Sequence, residues 1–281
     1  MTNRKVDYDR IVELYNNGMS SVGISREMGI GTTTVFRALS KFGVKARSNK
    51  FNSRRYKVNH DFFDNIDTEE KAYILGFSYA DGYVTKSGDA KYFGIAISTE
   101  DSEILDKINR AMDSNYEIKN YMTKENGKYK STPYSRLLIR SDKIFDDLSK
   151  HGVIPKKTNI ITRPKIRYDL IRHFIRGYMD GDGSIIMTKK LEFTFSLLGT
   201  DDLLLYISEY LLENDLISSI NKLGKRKDEQ IVSYIRYGGN IQAQKILDHL
   251  YQDSTIFLDR KYNRYIKLKE VNSPSWKGFH D

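Results

Sequence analysis

The sequence predicts an α+β fold: two pseudo-symmetric repeats, each ordered αββαββα, preceded by a small all-α module. Three observations carry this. The stretches "YILGFSYADG" (73–82) and "FIRGYMDGDG" (174–183) are both apolar helical runs closed by Asp-Gly. Asp81 and Asp182 stand 101 residues apart, as do Thr99 and Thr200, and Asp101 and Asp202, while "IFDDL" (144–148) and "ILDHL" (246–250) repeat with a shift of 102. Segments such as "YEIKNYMTK" and "YSRLLIR" alternate apolar with polar or basic residues, the pattern of a strand with one dry and one wet face.

Composition narrows the classes. With 281 residues the chain can hold one large core or two smaller ones, and its 12% aromatic content argues against general disorder. It has no cysteine, which excludes disulfides and thiolate metal sites. No apolar run approaches the ~18 residues of a membrane span, and the start "MTNRKVDYDR" lacks a signal-peptide core, so a soluble, cytoplasmic protein is expected. The formal charge of +9 is uneven: residues 1–60 hold 12 Lys/Arg against 4 Asp/Glu. A basic terminal segment on a near-neutral body points to a nucleic-acid contact.

In chain order, residues 1–45 form the α-helical module. Ile11, Leu14 and Tyr15 give a first helix its apolar face, ended by Asn17-Gly18; Ser20 or Ser21 caps a second, with Val22, Ile24 and Met28 inward and a stop at Gly29. A third begins near Thr32, with Val35, Phe36 and Leu39 inward. The tight turn at Gly29 is a helix-turn-helix arrangement, and "MSSVGISREMGIGTTTVFRAL" resembles the resolvase and transposase type of that family. That reading projects Thr32, Thr33, Thr34 and Arg37 toward a major groove, against the alternative of a plain three-helix bundle with no ligand. Residues 46–60 read as a basic linker. Within 41–60 there are seven Lys/Arg and no acid; Lys45, Arg47, Arg54 and Arg55 among them are placed to track phosphates.

The first repeat (61–160) reads as helix 69–81, strands 83–86 and 91–98, helix 100–113, strands 115–123 and 134–140, and helix 142–151. The second (161–270) reads as helix 169–182, strands 184–189 and 191–198, helix 201–213, strands 218–224 and 230–237, and helix 240–251, before a tail at 271–281. The alternation assigns Tyr83, Thr85, Lys119, Tyr121, Thr123, Arg136, Arg140, Thr188, Lys190, Asn221, Arg236 and Tyr237 to the wet faces. Ribbons of such residues can read base edges, although an ordinary solvated face has the same composition.

The two Asp-Gly helix ends hold the chemistry. A carboxylate at a helix C-terminus faces the negative end of the macrodipole, which is unfavourable by about 0.3–1 kcal/mol. Gly76 and Ala80 in one helix, and Gly177 and Gly181 in the other, are four apart and share a face, a small-residue stripe that admits a close partner. If these helices pack on each other, Asp81 and Asp182 come side by side. Such a concentrated negative site suits divalent cations with oxygen ligands, Mg²⁺ or else Mn²⁺.

"ILGFSYADG" (74–82) and "IRGYMDGDG" (175–183) resemble the paired signature of the LAGLIDADG homing endonucleases in their single-chain, two-motif form, over roughly residues 61–270. The resemblance implies a saddle of two DNA-binding sheets and a metal-dependent, site-specific hydrolase cutting both strands of a long double-stranded target as a monomer. It implies Asp81 and Asp182 as metal-binding catalytic acids, with Ala80 and Gly181 before them in the metal set. By position "PKKTN" (155–159) parallels "DRKYN" (259–263), pairing Lys157 with Lys261 as lysines that stabilise charge at the phosphate. Two departures stand out: Tyr79 replaces the first acid of the first motif, which Asp180 retains in the second, and Arg176 takes a position usually small, where it is expected to disturb helix packing. A DNA-binding regulator that has lost cleavage, and an RNA-splicing maturase, are alternatives on the same scaffold.

Overall fold

The computed structural model describes residues 6–46, 56–125, 127, 130–155, 160–226 and 229–273. The chain divides into two compact units, Met1–Lys57 and Val58–Asp281. Among the described residues no helix is long and apolar enough to cross a membrane.

In the first unit α1 (Tyr8–Asn16), α2 (Ser21–Met28) and α3 (Thr32–Lys41) enclose Ile11, Leu14, Tyr15, Ile24, Val35, Ala38 and Leu39. Asp7 caps α1 by accepting from Arg10 N, and Ser20 caps α2 by accepting from Gly23 N. Gly29, with φ of 64°, ends α2 in the left-handed region where glycine is favoured. Two expected core residues point outward instead: Val22 is 49% and Phe36 45% exposed. The buried face of α3 runs through Val35, Ala38 and Leu39, the i, i+3, i+4 set, and Phe36 is turned about 100° from it. Val22 precedes Ile24 by two residues and lies on the opposite side of α2.

The second unit contains two four-stranded antiparallel sheets, ordered β1-β2-β4-β3 and β5-β6-β8-β7. Its elements are α4 (Glu69–Ala80), β1 (Gly82–Ser87), β2 (Ala90–Ser98), α5 (Glu103–Ala111), β3 (Lys119–Met122), β4 (Pro133–Arg140) and α6 (Asp142–Lys150). They recur as α7 (Ile171–Asp182), β5 (Gly183–Met187), β6 (Phe193–Gly199), α8 (Asp201–Glu213), β7 (Gly224–Arg226), β8 (Glu229–Gly238) and α9 (Asn240–Tyr251), followed by α10 (Asp259–Asn272). The repeat is therefore real, and each copy follows the predicted order.

Two strands are shorter than the alternation predicts, for one reason. At 115–118 the backbone is taken up by side chains: Asn109 Nδ2 donates to Tyr116 O at 2.7 Å, and Tyr116 N donates to Ser114 Oγ at 3.2 Å. At 218–223 the amide of Asn221 donates to Arg236 O at 2.6 Å, occupying a carbonyl that a ladder N–H would use. Helix α10 lies outside the elements that the repeat pattern predicts. Its buried positions Lys261, Tyr265, Leu268 and Val271 do follow helical spacing, but a lysine at their head hides the apolar pattern.

Helices α4 and α7 are buried nearly all round, between the sheets and the outer helices. The expected disturbance by Arg176 is absent. Its side chain is fully buried and turns away from the glycine stripe: Nη1 donates to Leu250 O and to His173 Nδ1, both at 2.8 Å, Nε to Ile256 O at 3.2 Å, and Nη2 to the Glu69 carboxylate at the start of α4. Glu69 also accepts from Thr255 N at 3.1 Å, so this ion pair ties α4, α7 and the 250–256 segment together.

His173 gives this network a pH dependence. Burial and the neighbouring Arg176 and Arg172 push its pKa down to about 3 from 6.5. Between those values the unfolded chain binds a proton that the folded chain refuses, so stability present above pH 6.5 falls as the pH drops toward 3. The slope from this residue is at most about 1.4 kcal/mol per pH unit. Urea titrations across pH 4–7 should show a shallower loss in His173→Asn than in the wild type; equal slopes would place the acid sensitivity elsewhere.

Candidate active site at the paired helix ends

The two central helices meet backbone to backbone. A Cβ added at Gly76 would lie 2.0 Å from Phe174 O, and one at Gly177 would lie 1.9 Å from Tyr73 O. The contact is thus the same from both sides. It continues to the helix ends, where a Cβ on Gly181 would fall 2.2 Å from Ala80 Cβ and 3.1 Å from Asp81 Oδ2. Asp81 therefore lies against the residue that precedes Asp182, and the structure brings both predicted acids together with Ala80 and Gly181. Both acids are partly exposed. Tyr178, beneath them, is held well above the usual phenol range, first by burial and then by the charges of Asp182 and Asp81.

The glycines after the acids are not left-handed helix stops. A Cβ on Gly82 would lie 2.6 Å from Ser78 Cα, and one on Gly183 would lie 2.6 Å from Met179 O. They are glycine because the strand leaves each helix end with no room for a side chain.

Helix α10 clasps the end of α7. The Lys261 ammonium, 4% exposed, donates to Met179 O at 2.6 Å and to Asp180 O and Gly183 O at 2.7 Å. In return Asp180 Oδ2 accepts from Leu258 N at 2.8 Å and from Tyr73 OH at 2.7 Å, and Arg264 Nη1 donates to Ile185 O at 2.7 Å. Burial pushes Lys261 down to about 8, opposed by Asp180 and Asp81, and burial raises Asp180. Lys261 thus sits at the acids as read from the sequence, yet its three donors close carbonyls at the helix end. No sequence signal reveals that. On the other side Tyr79 is buried with its hydroxyl on His151 O, and packs edge-on against Phe174 with ring centroids 4.9 Å apart. Lys157 lies outside the described residues.

The sheet residues fall as follows. Tyr83, Thr85, Lys119, Tyr121, Arg136 and Arg140 share one face: Tyr83 pairs with Gly94, Thr85 with Tyr92, Tyr92 with Arg140, and Lys119 with Arg136. Thr123 continues that parity beyond β3, its Oγ1 3.1 Å from Thr132 Oγ1. In the second half Thr188, Lys190, Asn221 and Arg236 are exposed. Tyr237 is not a surface residue. It pairs with Phe195 on the dry face, is 1% exposed, and its hydroxyl donates to Ser208 Oγ at 3.1 Å. The alternation of β8 buries Ser233, Ile235 and Tyr237 and leaves Arg236 outward. In the first unit Thr33, Arg37 and Lys45 are exposed, and Thr32 and Thr34 half-buried. Arg47, Arg54 and Arg55 lie outside the described residues.

Residues 68–151 match the family described as LAGLIDADG-like domain. No curated protein sequence matches the chain. Similar solved structures include the I-SmaMI LAGLIDADG homing endonuclease bound to cleaved DNA (14% identity, 76% of this chain and 94% of that one, TM-score 0.48). They also include the I-LtrWI LAGLIDADG homing endonuclease bound to target DNA (13%, 76% and 90%, TM-score 0.44). A third is the LAGLIDADG homing endonuclease I-GzeII in complex with its DNA target (11%, 74% and 94%, TM-score 0.46). Over residues 68–151, then, the chain is similar to the LAGLIDADG-like domain family.

Proposed function

We propose that this protein is a site-specific, metal-dependent endonuclease that cuts both strands of a long DNA target as a monomer. The observation that supports it is the pairing of Asp81 and Asp182 at the ends of two helices packed through Gly76 and Gly177. An arrangement that forces two acids together at two unfavourable helix ends has no evident structural return.

Among the described residues no three His, Cys, Asp or Glu side chains gather into a metal-binding group. Two carboxylates nevertheless fit Mg²⁺, which is commonly held by one or two carboxylates plus the phosphates of its substrate rather than by a protein cage. Asp81 and Asp182, with the backbone oxygens of Ala80 and Gly181, would hold such ions; bound, these supply Lewis-acid stabilisation of charge on the scissile phosphate. The protein's own part is to keep the acids close, through the glycine contact, and to fix the end of α7, through Lys261. The sheets with their wet-face cations would lie along the DNA.

The decisive assay incubates the protein with a duplex library with and without Mg²⁺ and sequences the cut ends. One recurrent site, cut on both strands only with metal, is the expected result. Binding without cutting would leave a regulator on this scaffold.

The first unit is expected to work as a helix-turn-helix clamp outside the cut site. Deleting residues 1–57 removes exposed cations, including Arg37 and Lys45, and each lost phosphate contact lowers the salt slope of binding by about 0.9. The truncated protein should bind more weakly, with a footprint shortened at one end only. An unchanged footprint and slope would assign the unit to some other task.

A further inference from the structure

The helix that ends in Asp182 also carries a hydroxyl directed at that acid. Tyr178 and Asp182 are four residues apart and so share a face of α7. The Tyr178 ring is fixed: it is 1% exposed and lies parallel to Phe174, with centroids 6.4 Å apart. Its hydroxyl donates to Leu198 O at 2.6 Å, at the end of β6, and also hydrogen-bonds the Asp182 carboxylate. One hydrogen thus stands between a carbonyl and a carboxylate, and the charged acceptor makes the stronger bond.

Room for this hydroxyl is made by Gly199. A Cβ there would fall 2.5 Å from the Tyr178 hydroxyl but 3.5 Å from its Cζ, so only the oxygen excludes a side chain. The first repeat fills the same place with neither residue. Phe77 precedes Asp81 by four residues, as Tyr178 precedes Asp182. Gly82 pairs with Ile95 and Gly183 with Leu197, and this register puts Ile97, opposite Ser135, where Gly199 stands opposite Ser233. The two exchanges go together: phenylalanine with isoleucine, tyrosine with glycine. A ring without the oxygen therefore satisfies the packing at this position, and the hydroxyl is there for something else.

We infer that Tyr178 is a positioning residue for Asp182, holding one carboxylate oxygen so that the other is presented to a divalent cation. A carboxylate at a helix end gives up rotamer freedom when it takes a cation, and a hydrogen bond from a fixed, buried donor removes that freedom beforehand. No bond forms or breaks at Tyr178 itself. The inference rests on the proposed function, which supplies the cation at these acids.

The test adds Mn²⁺ to the full chain bound to its selected duplex, blocked against hydrolysis at the cut positions, and follows the electron paramagnetic signal of the free ion. Tyr178→Phe should weaken Mn²⁺ binding by about tenfold and raise the Mg²⁺ needed for half-maximal cleavage of the unblocked duplex by the same factor. Affinity for the duplex without metal should not change. Gly199→Ala, which crowds the hydroxyl, should weaken Mn²⁺ binding likewise, but should add nothing in a Tyr178→Phe background, where the oxygen it meets is gone. If Tyr178→Phe binds Mn²⁺ as the wild type does, the hydroxyl serves only to close Leu198 O and the inference fails, whatever happens to stability. It fails too if Gly199→Ala weakens Mn²⁺ binding equally in both backgrounds. A wild type that binds the duplex but neither holds Mn²⁺ nor cuts would remove the proposed function, and the inference with it.

Discussion

Asp81→Asn and Asp182→Asn should each lower DNA cleavage by several orders of magnitude while leaving folding and DNA binding in place. Asparagine keeps the shape of the side chain and removes its charge, so the helix ends stay where the glycine contact puts them. Stability should be equal or slightly higher, because each change relieves an unfavourable macrodipole contact of about 0.3–1 kcal/mol. Binding should survive, since the wet faces and the N-terminal unit are expected to supply most of the DNA contacts. What is lost is half of the anionic character of a site in which Asp81 lies against Gly181, one residue from Asp182. Because the acids adjoin, each mutant should lose cutting of both strands. If each lost only one strand, the two acids would serve separate sites. Normal rates in Mg²⁺ for both variants would remove these acids from the active site and with them the proposed function.

The architecture and the acids were legible because both repeat. An Asp-Gly helix end is an ordinary turn signal when it occurs once, but its recurrence at 81 and 182, in register with Thr99 and Thr200, carries information that no single motif does. What was not legible involves contacts made far from the residue concerned. Tyr237 looks like its neighbour Arg236 in a polar-aromatic strand, and only the register against Phe195 puts it on the dry face. Lys261 reads as a catalytic lysine by position, but its three acceptor carbonyls come from residues 179–183. Arg176 looks like an intruder on a small-residue stripe, because its acceptors at Glu69, Leu250 and Ile256 lie about 75–110 residues away. Asn109 and Asn221 shorten strands by hydrogen bonds that alternation does not encode. Most of these side chains are polar and satisfied by partners elsewhere in the chain, which hydrophobic periodicity does not report.

Gly177→Ala should destabilise the second unit by about 3 kcal/mol or more, although alanine is the better helix former. Helix propensity favours the change by about 1 kcal/mol. Against that, the new Cβ would sit 1.9 Å from Tyr73 O and 2.9 Å from Phe77 N, both backbone atoms of α4 that have no rotamer with which to move aside. The only relief is to push the helices apart, which opens the contact between Gly76 and Phe174 and loosens the packing of Tyr79 on Phe174. Overpacking of this kind typically exceeds the propensity gain and is a large part of a total stability of about 5–15 kcal/mol. Gly31→Ala serves as the control: nothing stands within 4 Å of its Cβ, and its change should stay under about 1 kcal/mol. Urea unfolding read at constant m separates the two. The same displacement parts Ala80 from Gly181, so the folded fraction of Gly177→Ala should also cut DNA more slowly than the wild type. A Gly177→Ala protein as stable as the wild type would mean that the helices do not touch at this point, and the closeness of Asp81 and Asp182 would lose its physical basis.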